Sequence, residues 1–154
     1  MTLRLSGPVL ALALLAGTAG ATQALARDAT AEERGRIESA LRAQGFQSWG
    51  SIEMDDGLWD VDDARKADGS ERDIRLTPDD LSLIDTEEKD RRATDQERAA
   101  IEQSLRGQGF TEFKSVSLDD GVWEVDDARG ADGKLYDLKL ERHSFRILHR
   151  DQDD

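Results

Sequence analysis

The chain has 154 residues, no cysteine and a formal net charge of −13. The lack of cysteine excludes thiol catalysis, disulfides and zinc–thiolate sites. The acidic balance disfavours nucleic acid and anionic lipid as partners and favours cations or basic proteins, although solubility alone also accounts for such a charge.

The first 26 residues are predicted to be a secretory signal peptide. Arg4 provides a positive start, residues 8–21 are apolar or small, and Ala24-Leu25-Ala26 offers an A-x-A cleavage site. No later segment approaches the roughly 18 apolar residues of a membrane span. We therefore expect a periplasmic or secreted protein that begins near Arg27 and has no membrane span after cleavage.

The remaining chain is a tandem repeat. Shifting the sequence by 64 positions aligns 30–76 with 94–140, and about 25 of about 47 positions are identical. Repeat 1 is expected to occupy residues 27–90 and repeat 2 residues 91–154. The nearly all-charged stretch 86–92 between them predicts a solvated connection.

Each repeat opens with a helix signal. Thr30 is followed three residues later by Glu33, which is the capping-box spacing, and positions 94 and 97 repeat it. Ile37 and Leu41 give a narrow apolar stripe, and Gly45 tolerates the left-handed conformation that ends a helix. One helix of about 14 residues per repeat follows from these signals.

After the helix the pattern alternates with a period of two. A tight turn at Asp120-Gly121 would pair Leu118 with Trp123 and Val116 with Val125 on one face. The opposite face would then carry polar pairs, such as Ser117 with Glu124. Repeat 1 follows the same rule, because Met54 meets Trp59 and Ile52 meets Val61.

A second turn at Asp132-Gly133 would place Asp126 opposite Lys139 and Val125 opposite Leu140. A fourth strand is expected at 145–148, with its counterpart at 81–84. Asp63 and Asp127 fall on the apolar side by parity. They lie at a sheet edge, accept hydrogen bonds from loop amides, or mark a slip in the register.

The predicted fold class is α+β, with two tandem modules that each have one helix followed by a four-stranded antiparallel meander sheet. The helix covers the apolar face, and the polar face of the sheet is left open. A module of about 60 residues buries too little surface to be comfortably stable alone, so we expect the two modules to pack together.

The order of these elements resembles the PepSY family. The resemblance is carried by the capped helix ending in glycine and by "WEVDDARGADGKLYDLKLE" at 123–141, with a less complete copy at 59–76. It implies a module of secreted protease propeptides and envelope proteins that binds or inhibits a protein. The tandem also resembles the architecture of the beta-lactamase inhibitory protein, whose two halves present a concave sheet to an enzyme.

The open sheet face is the predicted site of partner binding, and its natural complement is a basic protein or peptide. Aromatic side chains on a polar face would act as anchors, unless they pack between the modules or under a loop. The predicted partner-binding residues are Trp49, Glu53, Leu58, Asp60, Asp62, Phe113, Val122, Glu124, Asp126 and Asp137.

The sequence contains residues typical of two other kinds of site, a calcium site and a catalytic site. The acidic turns suggest calcium, but they do not match the EF-hand spacing and hairpin geometry accounts for them. His143, His149 and Ser144 lie near one another in sequence, which does not establish catalytic geometry. We predict no catalytic residues, no bound metal and no cofactor.

The sequence thus predicts an exported, non-enzymatic protein-binding module that inhibits or modulates a peptidase or another envelope enzyme. The alternative hypothesis is a periplasmic sensor that responds to calcium or another cation through the same carboxylates.

Overall fold

The computed structural model describes residues 26–152, so the predicted signal peptide lies almost entirely outside the described residues. The two helices are α1 (Ala31–Ala43) and α2 (Asp95–Gly107). The strands of the first module are β1 (Arg27–Asp28), β2 (Phe46–Ser48), β3 (Ile52–Asp55), β4 (Leu58–Lys66), β5 (Glu71–Leu76) and β6 (Leu83–Ile84). Those of the second are β7 (Arg91–Arg92), β8 (Ser115–Asp119), β9 (Val122–Arg129), β10 (Leu135–Leu140) and β11 (Ile147–Gln152).

Both helices begin with the predicted capping box. The Thr30 hydroxyl accepts the amide of Glu33, and the Glu33 carboxylate accepts the amide of Thr30. Thr94 and Glu97 repeat both bonds at the start of α2. An arginine from the strand before each helix, Arg27 or Arg91, also pairs with the capping glutamate.

Each module is a helix packed on an antiparallel sheet, so the predicted α+β class is confirmed. The strand order is β1-β3-β4-β5-β6 in the first sheet, where β2 also pairs with β4, and β7-β8-β9-β10-β11 in the second. The four-stranded meander is present in both, although its fourth strand spans 147–152 and 83–84 and not the expected 145–148 and 81–84. Each sheet also gains an edge strand from the segment before its helix. Arg91 and Arg92 therefore pair with Leu118 and Ser117, and the prediction that 86–92 is wholly a solvated connection was wrong at its end.

The first hairpin of each module has the predicted register. Leu118 pairs with Trp123 and Val116 with Val125, and in module 1 Met54 pairs with Trp59. Asp56 and Asp120 have φ of 46° and 45° and precede glycines with positive φ, as a two-residue hairpin turn requires.

The second hairpin is displaced by two residues from the predicted register. Lys139 pairs with Glu124, not with Asp126, and Val125 pairs with Leu138. One residue of the shift comes from a longer turn, in which the Gly130 amide donates to the Lys134 carbonyl. The other comes from a bulge in β9. Between the pairs Tyr136–Ala128 and Leu138–Val125, β9 advances by three residues while β10 advances by two.

The bulges explain the misplaced aspartates. Asp63 and Asp127 have φ of 51° and 48°, and each donates its amide to a β5 or β10 carboxylate, Asp73 or Asp137, at 3.0 Å. The extra residue turns both aspartates out of the core and returns the following alanine to it. The register slip named among the sequence hypotheses is therefore the correct one.

Each module has its own core between helix and sheet. In both modules, the buried residues of the helix pack against a tryptophan and against alternate residues of three strands. These strands are β3 to β5 in module 1 and β8 to β10 in module 2. Trp59 and Trp123 are each 3% exposed, and Val61 and Val125 are completely buried. The parity rule on which the sequence prediction depended is confirmed.

Candidate functional site

The outer face is the side of each sheet that is turned away from its helix. The part of this face that is exposed to solvent is strongly acidic. Asp62 and Asp126 are exposed there, next to the buried Val61 and Val125. Each of these aspartates accepts a short hydrogen bond from a serine hydroxyl on the neighbouring chain segment, Ser51 or Ser115. Glu53 is partly buried on the same face, where it pairs with Asp60 across β3 and β4.

The outer faces are not open along their whole length. Leu58 is 0% exposed and Val122 is 1% exposed, although both belong to neither helix-side core. Each follows a turn glycine that touches the other module: Gly57 lies against His149, and Gly121 lies against Asp85. The expectation that Leu58 and Val122 are displayed on an uncovered face was therefore wrong, because the modules bury them at their junction.

The junction has approximate two-fold symmetry. Arg75 Nη1 lies 3.1 Å from Asp120 Oδ2, and the residues 64 positions away repeat the contact, with Lys139 Nζ 3.5 Å from Asp56 Oδ2. The two glycine contacts are reciprocal in the same way. A Cβ at Gly121 would overlap the Asp85 carbonyl, so this position needs glycine for close approach as well as for its φ of 80°. The expectation that the copies pack together is confirmed.

Trp49 and Phe113 do not lie on the outer face. Both rings are partly buried against the helix-side cores, where Arg42 of α1 lies 5.1 Å from the Trp49 ring centre and Arg106 of α2 lies 5.6 Å from that of Phe113. Strand parity could not be extended to them, because residues 49–51 form no strand and the register shifts within the preceding β2. Their predicted position was wrong.

Two grooves flank the junction and contain the remaining predicted residues except Glu53. Groove 1, about 280 Å³, is lined by Asp60, Val61, Asp62, Asp73, Ile74, Arg75, Thr86 and Asp120. Groove 2, about 230 Å³, is lined by Asp56, Glu124, Asp126, Asp137, Leu138, Lys139, His149 and Asp151. Each groove contains one cation among at least four carboxylates, so both attract positive charge.

The single cation of each groove is already paired within its own module. Arg75 Nε donates to Asp60 at 2.8 Å, and Lys139 Nζ donates to Glu124 at 2.8 Å. Burial raises the pKa of Asp60 despite the opposing charge of Arg75. Burial lowers the pKa of Lys139, but the hydrogen bond and charge of Glu124 outweigh it and the net shift is upward.

The field of the neighbouring carboxylates is visible at Asp119, at the end of β8. Burial raises its pKa first, and the charges of Glu124, Asp90 and Asp120 raise it further. Burial is the largest cause of this rise, and the like charges add to it because they disfavour the ionised form. The carboxylates at this end of the outer face therefore repel one another.

The residues considered for catalysis serve structure here. The amides of His143 and Ser144 donate to the Glu141 carboxylate at 3.0 and 2.6 Å, and Ser144 Oγ accepts the Arg146 amide at 3.3 Å, which together shape the turn before β11. His149 instead lies at the junction against Gly57. Within residues 26–152 no group of three or more His, Asp or Glu side chains is arranged to hold a metal ion.

Sequence reasoning missed the part of the grooves that depends on how the modules meet. Asp56 and Asp120 were assigned only to turns, and Asp151 and His149 were not included in the site. Each turn aspartate reaches the groove of the other module, which no pattern within one repeat encodes. One signal was available in the sequence. Both repeats have an aspartate in the first turn and a cation, Arg75 or Lys139, at the same place in the third strand of the meander.

The family model described as peptidase propeptide and YPEB domain, PepSY_2, matches residues 8–87 and again residues 85–151. The chain belongs to this family and carries two of its domains. Domains of this family are typically non-catalytic propeptide or inhibitor-like modules. No curated protein and no solved structure matches the chain. None of the helices at 26–152 is long and apolar enough to cross a membrane.

Proposed function

We propose that this tandem PepSY protein is an exported, non-enzymatic module that binds a basic protein through its acidic outer face. The proposal depends on the two grooves. In each groove, carboxylates from both modules surround a single cation that already forms a salt bridge within its own module. Family membership supports an inhibitor-like role, and the partner that fits best is a peptidase or another envelope enzyme.

The pairing inside the grooves supports binding rather than internal neutralisation. Arg75 is shared between Asp60 and Asp120, and Lys139 between Glu124 and Asp56. Asp62 and Asp126 accept only serine hydroxyls in the hydrogen bonds described above, so their negative charge faces solvent. Lysine or arginine side chains of a partner would form charge-assisted hydrogen bonds with them.

The rigid placement of these carboxylates also favours recognition. Each lies on a paired strand, β4 or β9, beside a fully buried valine, and the junction fixes the two sheets against each other. A surface held in this way orders few side chains on binding, which reduces the entropic cost of association.

A pull-down from envelope extract tests the proposal. The test variant combines Asp62→Asn with Asp126→Asn on the outer face. The control combines Glu32→Gln with Asp95→Asn, which removes the same charge from exposed positions on the helices. We expect the test variant to lose most of a basic partner that the wild type and the control recover, and we expect recovery to fall with added salt.

Equal recovery by all three proteins would contradict the proposal. If the recovered partner is an enzyme, its rate with and without the purified tandem protein decides between inhibition and binding alone.

A further inference from the structure

The last strand of module 2 presents a free edge. In the described part of the chain, β11 ends the second sheet and pairs only with β10. Among the other described strands that pair on one side only, β1, β6 and β7 have two residues each and β2 has three, whereas β11 has six. A long unpaired strand edge is a template on which another chain can add a strand.

The two modules differ at this point for a local reason. In module 1 the Asp85 carboxylate accepts the Glu87 amide at 3.0 Å, and this turn ends β6 at Ile84. The equivalent position in module 2 is His149, and pairing continues through Arg150 and Asp151 to the end of β11. Only module 2 therefore offers an extended edge.

The protection of this edge strand is limited to a bulge and two charged residues, Arg150 and Asp151. Neither proline nor lysine occurs in 147–152, and the one bulge, at Leu148, precedes the regular stretch 149–152. The guanidinium of Arg150 is engaged on the helix side, 4.1 Å from the centre of the Tyr136 ring. The backbone of the last residues thus remains accessible to a strand.

Charge specifies what the added strand must carry. Asp151 and Asp137 are direct cross-strand partners, and like charges in that position repel. Both line groove 2 with Asp126, on the outer face. A strand beside β11 would place every second side chain on the outer face and one of these directly opposite Asp151, where a lysine or arginine would relieve the repulsion.

We propose that β11 binds an extended basic segment of a partner as an added strand, with basic residues at alternate positions facing groove 2. Main-chain hydrogen bonds supply the attachment, and the carboxylates select the side chains. This inference deepens the proposed function and depends on it for the existence of a basic partner.

The test uses a synthetic peptide, acetyl-Thr-Lys-Val-Lys-Val-Lys-Thr-amide, and two N-methylated forms of it. One form is methylated on the amides of the first two lysines and the other on the amides of the two valines, so that charge and the number of methyl groups stay matched. In an added strand only one of these sets of amides points at β11. We expect isothermal titration calorimetry to show binding of the parent peptide, an affinity loss of about tenfold or more in one methylated form, and a loss below about twofold in the other.

Two variants of the protein control for position. Asp151→Asn should weaken binding of the parent peptide about threefold or more, whereas Glu87→Gln, at the equivalent position of module 1 where β6 has already ended, should leave it unchanged. No binding of the parent peptide, or equal effects of the two methylation patterns, would overturn the inference.

The outcomes separate the two proposals. Equal methylation effects together with a pull-down that depends on Asp62 and Asp126 would leave the acidic face as the binding surface and remove strand addition. A clear methylation preference together with a pull-down that ignores those aspartates would keep strand addition and remove the proposed face.

Discussion

Replacing Leu58 by alanine tests the packing of the two modules. The sequence pattern places Leu58 on an open sheet face, whereas the structure buries it completely at the junction. Loss of a fully buried leucine typically costs about 2–5 kcal/mol, because it combines lost transfer free energy with a cavity. We expect Leu58→Ala to lower the free energy of unfolding by about 3 kcal/mol, which corresponds to a fall of roughly 10 °C in Tm.

Leu83→Ala is the matched control. Leu83 lies on β6 of the same module, and 38% of it is exposed, so the same truncation should cost less than about 1 kcal/mol. Urea denaturation measures the stability of both variants. The midpoint urea concentration reports the change, provided that the dependence of the free energy of unfolding on urea is unchanged. A Leu58→Ala midpoint equal to that of Leu83→Ala would refute the junction.

Two further predictions concern titration and cations. Arg91, with the Thr94 amide, lowers the pKa of Glu97 to about 2, so this carboxylate stabilises the fold above its unfolded pKa of about 4.3 and loses that contribution as the pH falls towards 2. Because the pair is exposed, Glu97→Gln should reduce the loss of stability between pH 6 and pH 2.5 by only about 0.5–1 kcal/mol, measured by urea denaturation, and an unchanged pH profile would contradict this. Millimolar calcium should leave the thermal midpoint unchanged, and a rise of several degrees would favour the cation-sensor hypothesis instead.

Local signals in the sequence were sufficient for the elements of one module. The Thr30 and Thr94 capping boxes, the tight turns at Asp56 and Asp120 and the period-two alternation all act over a few residues, and the structure has each of them. The predicted register of the second hairpin was in error by two residues, because a longer turn and a bulge each shifted it by one. A shift of two residues leaves side chains on the same face of a strand. That is why Leu140 still lies on the predicted core face together with Val125.

Features that depend on distant contacts were not predictable. Arg91 and Arg92 form an edge strand although their charge is typical of a connection, since an edge strand with solvent on one side needs no apolar pattern. The positions of Leu58 and Val122 depend on how two modules meet, which is set by shape and charge across the junction. Trp49 and Phe113 turned towards the helices because both lie outside the strands, Trp49 between β2 and β3 and Phe113 between α2 and β8.

Photocrosslinking in envelope extract tests whether the outer face is the surface that contacts a partner. A benzoylphenylalanine at position 53 or 117 would report on the outer face, because Glu53 and Ser117 are equivalent residues of β3 and β8. The same residue at position 39 or 103 would report on the helices, where Ser39 and Gln103 are exposed. We expect crosslinks to a basic protein from the first two positions and none from the second two. Crosslinks to the same protein from the helices, with none from the sheets, would contradict it.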